Sequence, residues 1–136
     1  MITGINHVTL SVRDLAESFA FYSECLGFRP VARWSRGAYL MAGDLWVALI
    51  VDAHARGEAL PEYTHVAFAI GSGDFAAMAE RIRASGATIF KQNVSEGESL
   101  YFVDPNGHKL EIHATGLEDR LRSMRAEPWE GLELFV

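Results

Sequence analysis

Hydrophobic and polar residues alternate in the same order twice along the chain. The stretch GINHVTLSV at 4–12 is echoed by EYTHVAFAI at 62–70, and the histidines of the two stretches, His7 and His65, are 58 positions apart. Alternation of this kind predicts β-strands whose successive side chains face opposite sides. Each half of the chain therefore begins with a strand that carries a histidine.

A helical pattern follows each of these strands. The segments DLAESFAFYSECLG at 14–27 and DFAAMAERIRASG at 74–86 have apolar residues at helical spacing and end in glycine, which is typical of a helix C-terminus. Each helix precedes three strand-like stretches, VARW, AYLMA and LWVALIV in the first half, and TIFKQ, SLYFVD and KLEIHA in the second. The order strand, helix and three strands, found twice, predicts an α+β protein made of two βαβββ modules.

The length of 136 residues fits one domain. We expect module one at about 1–53, a linker at about 54–61, module two at about 62–115, and a C-terminal helix and tail at 116–136. The linker, HARGEALP, has no periodicity, and DPNG at 104–107 predicts a turn between two strands. The tail, EPWEGLELFV, is apolar enough that we expect it to dock, for instance on a second subunit.

Charge and composition narrow the function classes. Lys and Arg total 12 against 18 for Asp and Glu, and this acidic balance argues against nucleic acids and anionic membranes as partners. The longest apolar run, Leu45 to Val51, is 7 residues, too short to span a bilayer, and the N-terminus has no signal-peptide pattern. The single cysteine, Cys25, excludes an intramolecular disulfide and favours a cytoplasmic location. We interpret Cys25 as a small packing residue of the first helix.

The two histidines are the first candidate functional groups. His7 and Thr9 face the same side of the first strand, and His65 takes the matching place in the second module. A single strand histidine is more often structural than functional. Two at equivalent places of a repeat raise the prospect of a site that both modules share.

Glu111, in KLEIHA, is a candidate partner for these histidines. Its side chain points away from those of Leu110 and Ile112. A carboxylate on an inward face is costly unless a metal or another cation offsets its charge. The alternative interpretation has Lys109, Glu111 and His113 all pointing into water.

A group of cationic and hydroxyl side chains lies in the second half. Lys91, Ser95, Ser99 and Tyr101 occupy two adjacent strands and the loop between them, and Arg120 lies in the C-terminal helix region. In an acidic protein, an anionic substrate needs such a local pocket, because phosphate-like oxygens bind Arg, Lys and hydroxyl donors. The alternative is that Lys91 and Arg120 are ordinary solvated charges.

The stretches of sequence that contain these candidate residues resemble one known protein family. The stretches GINHVTLSV, GAYL, LWVAL, YTHVAFAI and KQNVSEGESLYFVDPNGHKLEIH resemble the fosfomycin resistance thiol transferases, metalloenzymes of the vicinal oxygen chelate superfamily. The resemblance extends from the first residues to the C-terminal helix. It implies a vicinal oxygen chelate fold and metal ligands at His7, His65 and Glu111. It also implies a homodimer that exchanges modules, so that each metal takes His7 from one chain and the other two ligands from its partner.

The chemistry of this ligand set agrees with the resemblance. Two imidazoles and one carboxylate suit Mn²⁺, Fe²⁺ or Zn²⁺ acting as a Lewis acid, and we expect Mn²⁺. Aligning LWVALIV with KLEIHA sets Val47 opposite Glu111, so the first module offers no fourth protein ligand. Substrate oxygens are expected to fill the open positions.

The resemblance also implies roles for the other polar residues. Thr9, Lys91, Tyr101 and Arg120 are expected to be catalytic. A bound K⁺ is expected in the loop that contains Asn93, Ser95, Glu96, Gly97 and Ser99. The substrate contacts are expected to be Tyr39, Trp46, Tyr63, Lys91, Ser95, Ser99, Tyr101 and Arg120.

The predicted reaction is the attack of a thiol, glutathione by the overall resemblance, on the epoxide of fosfomycin, which would confer antibiotic resistance. Cysteine and bacillithiol remain open as thiols. One alternative is hydrolysis of the same epoxide, with Asp44 as the carboxylate base, although Asp44 also suits a turn. A second is a non-haem iron dioxygenase, which uses the same ligand types. A third is a metal-free binding protein, which would have no need of all three ligands.

Overall fold

The computed structural model describes residues 1–136 and contains the two predicted βαβββ modules. The first module forms a four-stranded sheet in the order β1-β4-β3-β2, in which β1 is parallel to β4 and the other pairs are antiparallel. Its elements are β1 (His7–Val12), α1 (Leu15–Ala20), β2 (Arg29–Trp34), β3 (Gly37–Ala42) and β4 (Leu45–Val51).

The second module repeats this topology. Its sheet has the order β5-β8-β7-β6, again with the first and last strands of the module paired in parallel. A final helix, α3, follows the sheet. The elements are β5 (Val66–Ala69), α2 (Ser72–Ala84), β6 (Ile89–Lys91), β7 (Ser99–Val103), β8 (Lys109–His113) and α3 (Leu117–Ala126).

The strand register corrects one sequence prediction. Thr9 pairs with Ala48 in the first sheet, and the equivalent Ala67 pairs with Glu111 in the second. Ala48, and not Val47, is therefore the counterpart of Glu111. Val47 is the neighbour of Ala48 in β4, so its side chain points to the other face of the sheet and is fully buried in the core. Ala48 has only a methyl side chain, so this register position of the first module supplies no ligand atom.

The first helix is interrupted, although its sequence pattern predicts one continuous helix. The Asp14 side chain accepts the Glu17 N–H at 3.1 Å and starts α1, but residues Phe21–Cys25 form a π-helical turn. Within this turn Phe21 packs edge-on against Tyr22, with 5.4 Å between the ring centroids. The segment ends, as predicted, at a glycine with positive φ, Gly27 at 75°.

One hydrophobic core joins the two modules. It draws on one face of each sheet, with Leu10, Leu40 and Leu49 from the first and Leu100 and Leu110 from the second. Because side chains alternate along a strand, the candidate site residues within the strands, such as Thr9 and Glu111, lie on the opposite faces.

The loop at 104–108, which we call the module clamp, also connects the modules. The sequence predicts only a turn here, but the loop reaches back into module one. Asn106 accepts the Arg13 N–H and donates to the Ser18 hydroxyl, both at 2.9 Å. The Tyr22 hydroxyl donates to Asp104 at 2.6 Å. The relative position of the two modules is thus held by buried polar contacts as well as by the core.

The C-terminal tail makes little contact with its own chain. Phe135 and Val136 are 91% and 83% exposed. Docking of the tail on a second subunit therefore stays a prediction. None of the three helices has the length and apolar content needed to cross a membrane.

Candidate active site

His65 and Glu111 meet on the second sheet. His65 directly precedes β5, Glu111 is central in β8, and the two strands are paired in parallel. His65 Nε2 lies 3.1 Å from Glu111 Oε2. The Glu111 side chain is only 8% exposed, so the interpretation that it points into water is wrong. A buried carboxylate and an imidazole therefore converge at one point.

The hydrogen bonds of His65 orient it for metal binding. Its Nδ1–H donates to the Tyr63 carbonyl at 2.8 Å, which leaves Nε2 as the nitrogen with a free lone pair. That lone pair faces the Oε2 of Glu111, which is also an acceptor. Two acceptors at this distance need a proton or a metal cation between them. The donor set thus fits a divalent cation such as Mn²⁺.

The third predicted ligand, His7, lies on the other sheet. It begins β1, is exposed, and packs against Trp46 with 4.3 Å between ring centroids. Within one chain, no group of three or more His, Cys, Asp or Glu side chains has the arrangement of a metal site. The single chain therefore brings together His65 and Glu111 but does not bring His7 to them.

A row of aromatic residues that begins with Trp46 lies beside His7 on the first sheet. Tyr39 contacts Trp46 edge-on at 5.0 Å between centroids, and Trp34 contacts Tyr39 in the same way at 4.9 Å. Thr9 lies exposed on the same face of β1 as His7. The Trp46 Nε1–H is buried and has no acceptor. An unpaired buried donor is rare and costly.

A fixed cation lies beside the His65 and Glu111 pair. Lys91 Nζ donates to the Tyr63 hydroxyl at 2.7 Å and lies 4.4 Å and 4.9 Å from the ring centroids of Tyr63 and Tyr101. The hydrogen bond to Tyr63 raises the pKa of Lys91, which therefore stays charged. Burial raises the pKa of Tyr101, so its phenol stays protonated. The site thus holds a positive charge next to a hydroxyl donor.

The predicted K⁺ loop is closed by its own hydrogen bonds. Asn93 Oδ1 accepts from the Ser95 backbone N–H and hydroxyl at 3.1 and 2.9 Å, and its Nδ2 donates to the Gly97 carbonyl at 2.8 Å. The carboxylate of Glu96 pairs with Arg120, whose Nε lies 3.1 Å from Oε1. The loop thus links helix α3 to the site, and K⁺ binding by the loop stays a prediction.

Two further residues that the sequence singled out, Asp44 and Cys25, lie away from this site. Asp44 is in the turn between β3 and β4 and lines a cavity of about 690 Å³ formed with β5 and α2. Cys25 ends the π-helical turn, with Sγ 3.8 Å from the Arg81 carbonyl. Neither contacts His65 or Glu111.

His113 makes a contact that the sequence patterns did not predict. Its Nδ1 lies 2.5 Å from Ser99 Oγ, and Ser99 donates to Glu111 Oε1 at 2.7 Å. Ser99 is thus committed to Glu111. The signal was present in the sequence, because period-two alternation puts His113 on the same face of β8 as Glu111.

Two βαβββ modules with a histidine and carboxylate pair on an open sheet face define a class of protein. The model of the Glyoxalase/Bleomycin resistance protein/Dioxygenase superfamily matches residues 4–112. The chain belongs to this superfamily.

The chain is similar in sequence or structure to several fosfomycin resistance proteins and thiol transferases. The chain is 47% identical to Glutathione transferase FosA of Serratia marcescens over 97% of its length and 95% of that protein. It is 38% identical to Metallothiol transferase FosB of Staphylococcus haemolyticus over 89% of its length and 90% of that protein. The fosfomycin resistance protein FosX of Listeria monocytogenes has a similar structure, with a TM-score of 0.77 and 32% identity over 90% of this chain and 99% of that one. A point mutant of the same FosX was solved with Mn(II) and 1S,2S-dihydroxypropylphosphonic acid.

Proposed function

We propose that the protein is a metal-dependent thiol transferase that adds glutathione to the epoxide of fosfomycin and so confers resistance. The observation that carries this proposal is the contact of His65 Nε2 with the buried Glu111 Oε2 beside the charged Lys91. A metal ligand pair next to a fixed cation suits a small substrate that has both an anionic group and a reactive oxygen. The relatives named as a glutathione transferase and a metallothiol transferase support the same chemistry.

The proposed metal is Mn²⁺, with Fe²⁺ or Zn²⁺ as other ions that suit the donors. His65 and Glu111 would hold it, together with His7 of the partner subunit. When bound, such an ion supplies Lewis acidity towards the epoxide oxygen. The solved FosX complex with Mn(II) supports a divalent metal in this family.

The remaining residues bind and orient the substrate in this proposal. Lys91 and Tyr101 present a positive charge and a phenol O–H to the phosphonate, with Arg120 entering from α3. The exposed Thr9 lies beside His7 and contacts the epoxide end. The sulfur of the thiolate forms a bond to an epoxide carbon, the bond between that carbon and the ring oxygen breaks, and the resulting alkoxide takes a proton from water.

The aromatic group on the first sheet is the proposed wall of the thiol site. Trp46 and Tyr39 present flat apolar surfaces, and the unpaired Trp46 Nε1–H is a donor for a substrate oxygen. We include a K⁺ at the Asn93 to Ser99 loop, where its charge would add to that of Lys91. A cytoplasmic location is part of the proposal, because glutathione keeps thiols reduced there.

The proposal includes a homodimer that exchanges modules, and the placement of the ligands supports it. The core and the module clamp hold the two sheets of one chain with their site faces apart, which supports a site made by His7 of one chain and the His65 and Glu111 of a second copy. Each site is then made by two chains.

The reaction is tested by incubating the protein with Mn²⁺ and fosfomycin, with glutathione, with cysteine or without a thiol, and identifying products by mass spectrometry. A glutathione adduct supports the proposal. Diol formed at equal rate without thiol means hydrolysis, and no change in fosfomycin overturns both.

The shared site is tested with two inactive variants, His7→Ala and Glu111→Ala, unfolded and refolded together. Random pairing makes half of the dimers mixed, and each mixed dimer has one site with both defects and one intact site. About a quarter of the wild-type activity should therefore return. No recovery means that one chain builds the whole site.

A further inference from the structure

We infer that His113 is a positioning residue that fixes Glu111 for metal binding through Ser99. This inference rests on the metal site proposed above. It adds a specific claim, namely that Glu111 uses Oε2 towards the metal because Oε1 is already engaged.

The hydrogen bonds define the direction of this link. Glu111 Oε1 accepts the Ser99 hydroxyl proton at 2.7 Å. Ser99 has only one proton, so at its 2.5 Å contact with His113 the oxygen must accept and Nδ1 must donate. His113 therefore holds the Ser99 hydroxyl in the one orientation that serves Glu111. The two oxygens of Glu111 are thereby distinguished, since Oε2 alone faces His65 Nε2.

The other nitrogen of His113 anchors the imidazole. Nε2 lies 2.9 Å from Thr115 Oγ1, which in turn lies 3.2 Å from Glu96 Oε2. Glu96 is paired with Arg120. A continuous line of side chains thus joins Glu111 to the arginine of α3. Restraints of this kind lower the entropy that Glu111 would lose on binding a metal, and losing one typically costs 10- to 100-fold in affinity.

Two amide substitutions separate the two nitrogens. In His113→Asn the side-chain amide takes the place of Nδ1 and can still donate to Ser99. In His113→Gln the amide takes the place of Nε2, and the contact with Ser99 is lost. We expect His113→Asn to bind Mn²⁺ within about threefold of wild type, and His113→Gln to bind it about tenfold or more weakly.

The measurement is the Mn²⁺ dissociation constant of the full-length protein, from the electron paramagnetic resonance signal of free Mn²⁺, without substrate. Urea midpoints check that each variant is folded. Ser99→Ala should weaken Mn²⁺ binding as His113→Gln does, and the double variant should be no weaker than Ser99→Ala, because both changes break the same link.

The outcomes separate this inference from the proposed function. Equal affinities of the Asn and Gln variants, or additive losses in the double variant, overturn the role of His113 while the metal site stands. If His113→Gln does not fold, an unchanged Mn²⁺ affinity in Ser99→Ala overturns the inference and a tenfold loss supports it. Wild-type protein that binds no Mn²⁺ overturns both.

Discussion

Replacing Tyr22 by Phe tests how strongly the module clamp holds the two modules together. The Tyr22 hydroxyl donates to Asp104 Oδ2 at 2.6 Å, and both side chains are buried. The other oxygen, Oδ1, accepts the backbone N–H groups of Asn106 and His108 at 2.9 Å. The substitution keeps the ring and its packing, so it removes a single hydrogen bond to a buried carboxylate.

The magnitude follows from the charge and burial of the acceptor. A hydrogen bond to a charged group contributes roughly 1.5–3 kcal/mol, so we expect Tyr22→Phe to lower the free energy of unfolding by about 2 kcal/mol. With an m-value of about 2 kcal/mol/M, the urea midpoint should fall by about 1 M. The comparison is made at one protein concentration, because dimerisation also contributes to stability. Tyr39→Phe is the control, and we expect it to change stability by less than about 0.5 kcal/mol.

The pH dependence of unfolding above pH 10 provides a second test of the same contact. Burial, together with the charge of Asp104, raises the pKa of Tyr22 well above its ordinary value of 10.0. Below pH 10 both states keep the phenol proton, and this group adds no pH dependence. Above pH 10 the unfolded chain loses the proton that the folded chain retains, so wild type should lose about 1.4 kcal/mol more per pH unit than Tyr22→Phe. A midpoint unchanged by the substitution, with identical alkaline slopes, would refute the reasoning.

Three further predictions concern the site and the turn of the clamp. His65→Ala and Glu111→Ala should each abolish stoichiometric Mn²⁺ binding, because one lost ligand leaves a site that competes poorly with water; retained Mn²⁺ in either argues against the metal site. Lys91→Ala should raise the fosfomycin dissociation constant about tenfold or more in calorimetry, with Mn²⁺ binding intact, and unchanged affinity means that the phosphonate binds elsewhere. Gly107→Ala should lower the free energy of unfolding by about 1–3 kcal/mol, since φ is +102° and a Cβ would overlap the linker backbone. Gly73 has open space around it, so Gly73→Ala is the control and should be neutral. Equal urea midpoints for the two variants would contradict this prediction.

Local patterns in the sequence account for much of the fold. Alternation predicts the strands, helical spacing predicts the helices, and the offset of 58 between His7 and His65 predicts the repeat. Alternation also predicts that Glu111 faces away from the core residues Leu110 and Ile112. These features depend on neighbours a few residues apart, and such neighbours are read directly from the chain.

Tertiary structure decided what depends on contacts between distant segments. The register that makes Ala48 the counterpart of Glu111 comes from the pairing of β1 with β4, and a shift of one residue reverses every side chain. The hydrogen bond from Tyr22 to Asp104 joins residues 82 positions apart. Tyr22 itself lies in a π-helical turn, which no periodicity of the sequence predicts. The link from His113 to Glu111 needs Ser99 from the neighbouring strand. The sequence specifies which chemical groups are present. Which of these groups come into contact is decided only when the strands pair and the modules pack.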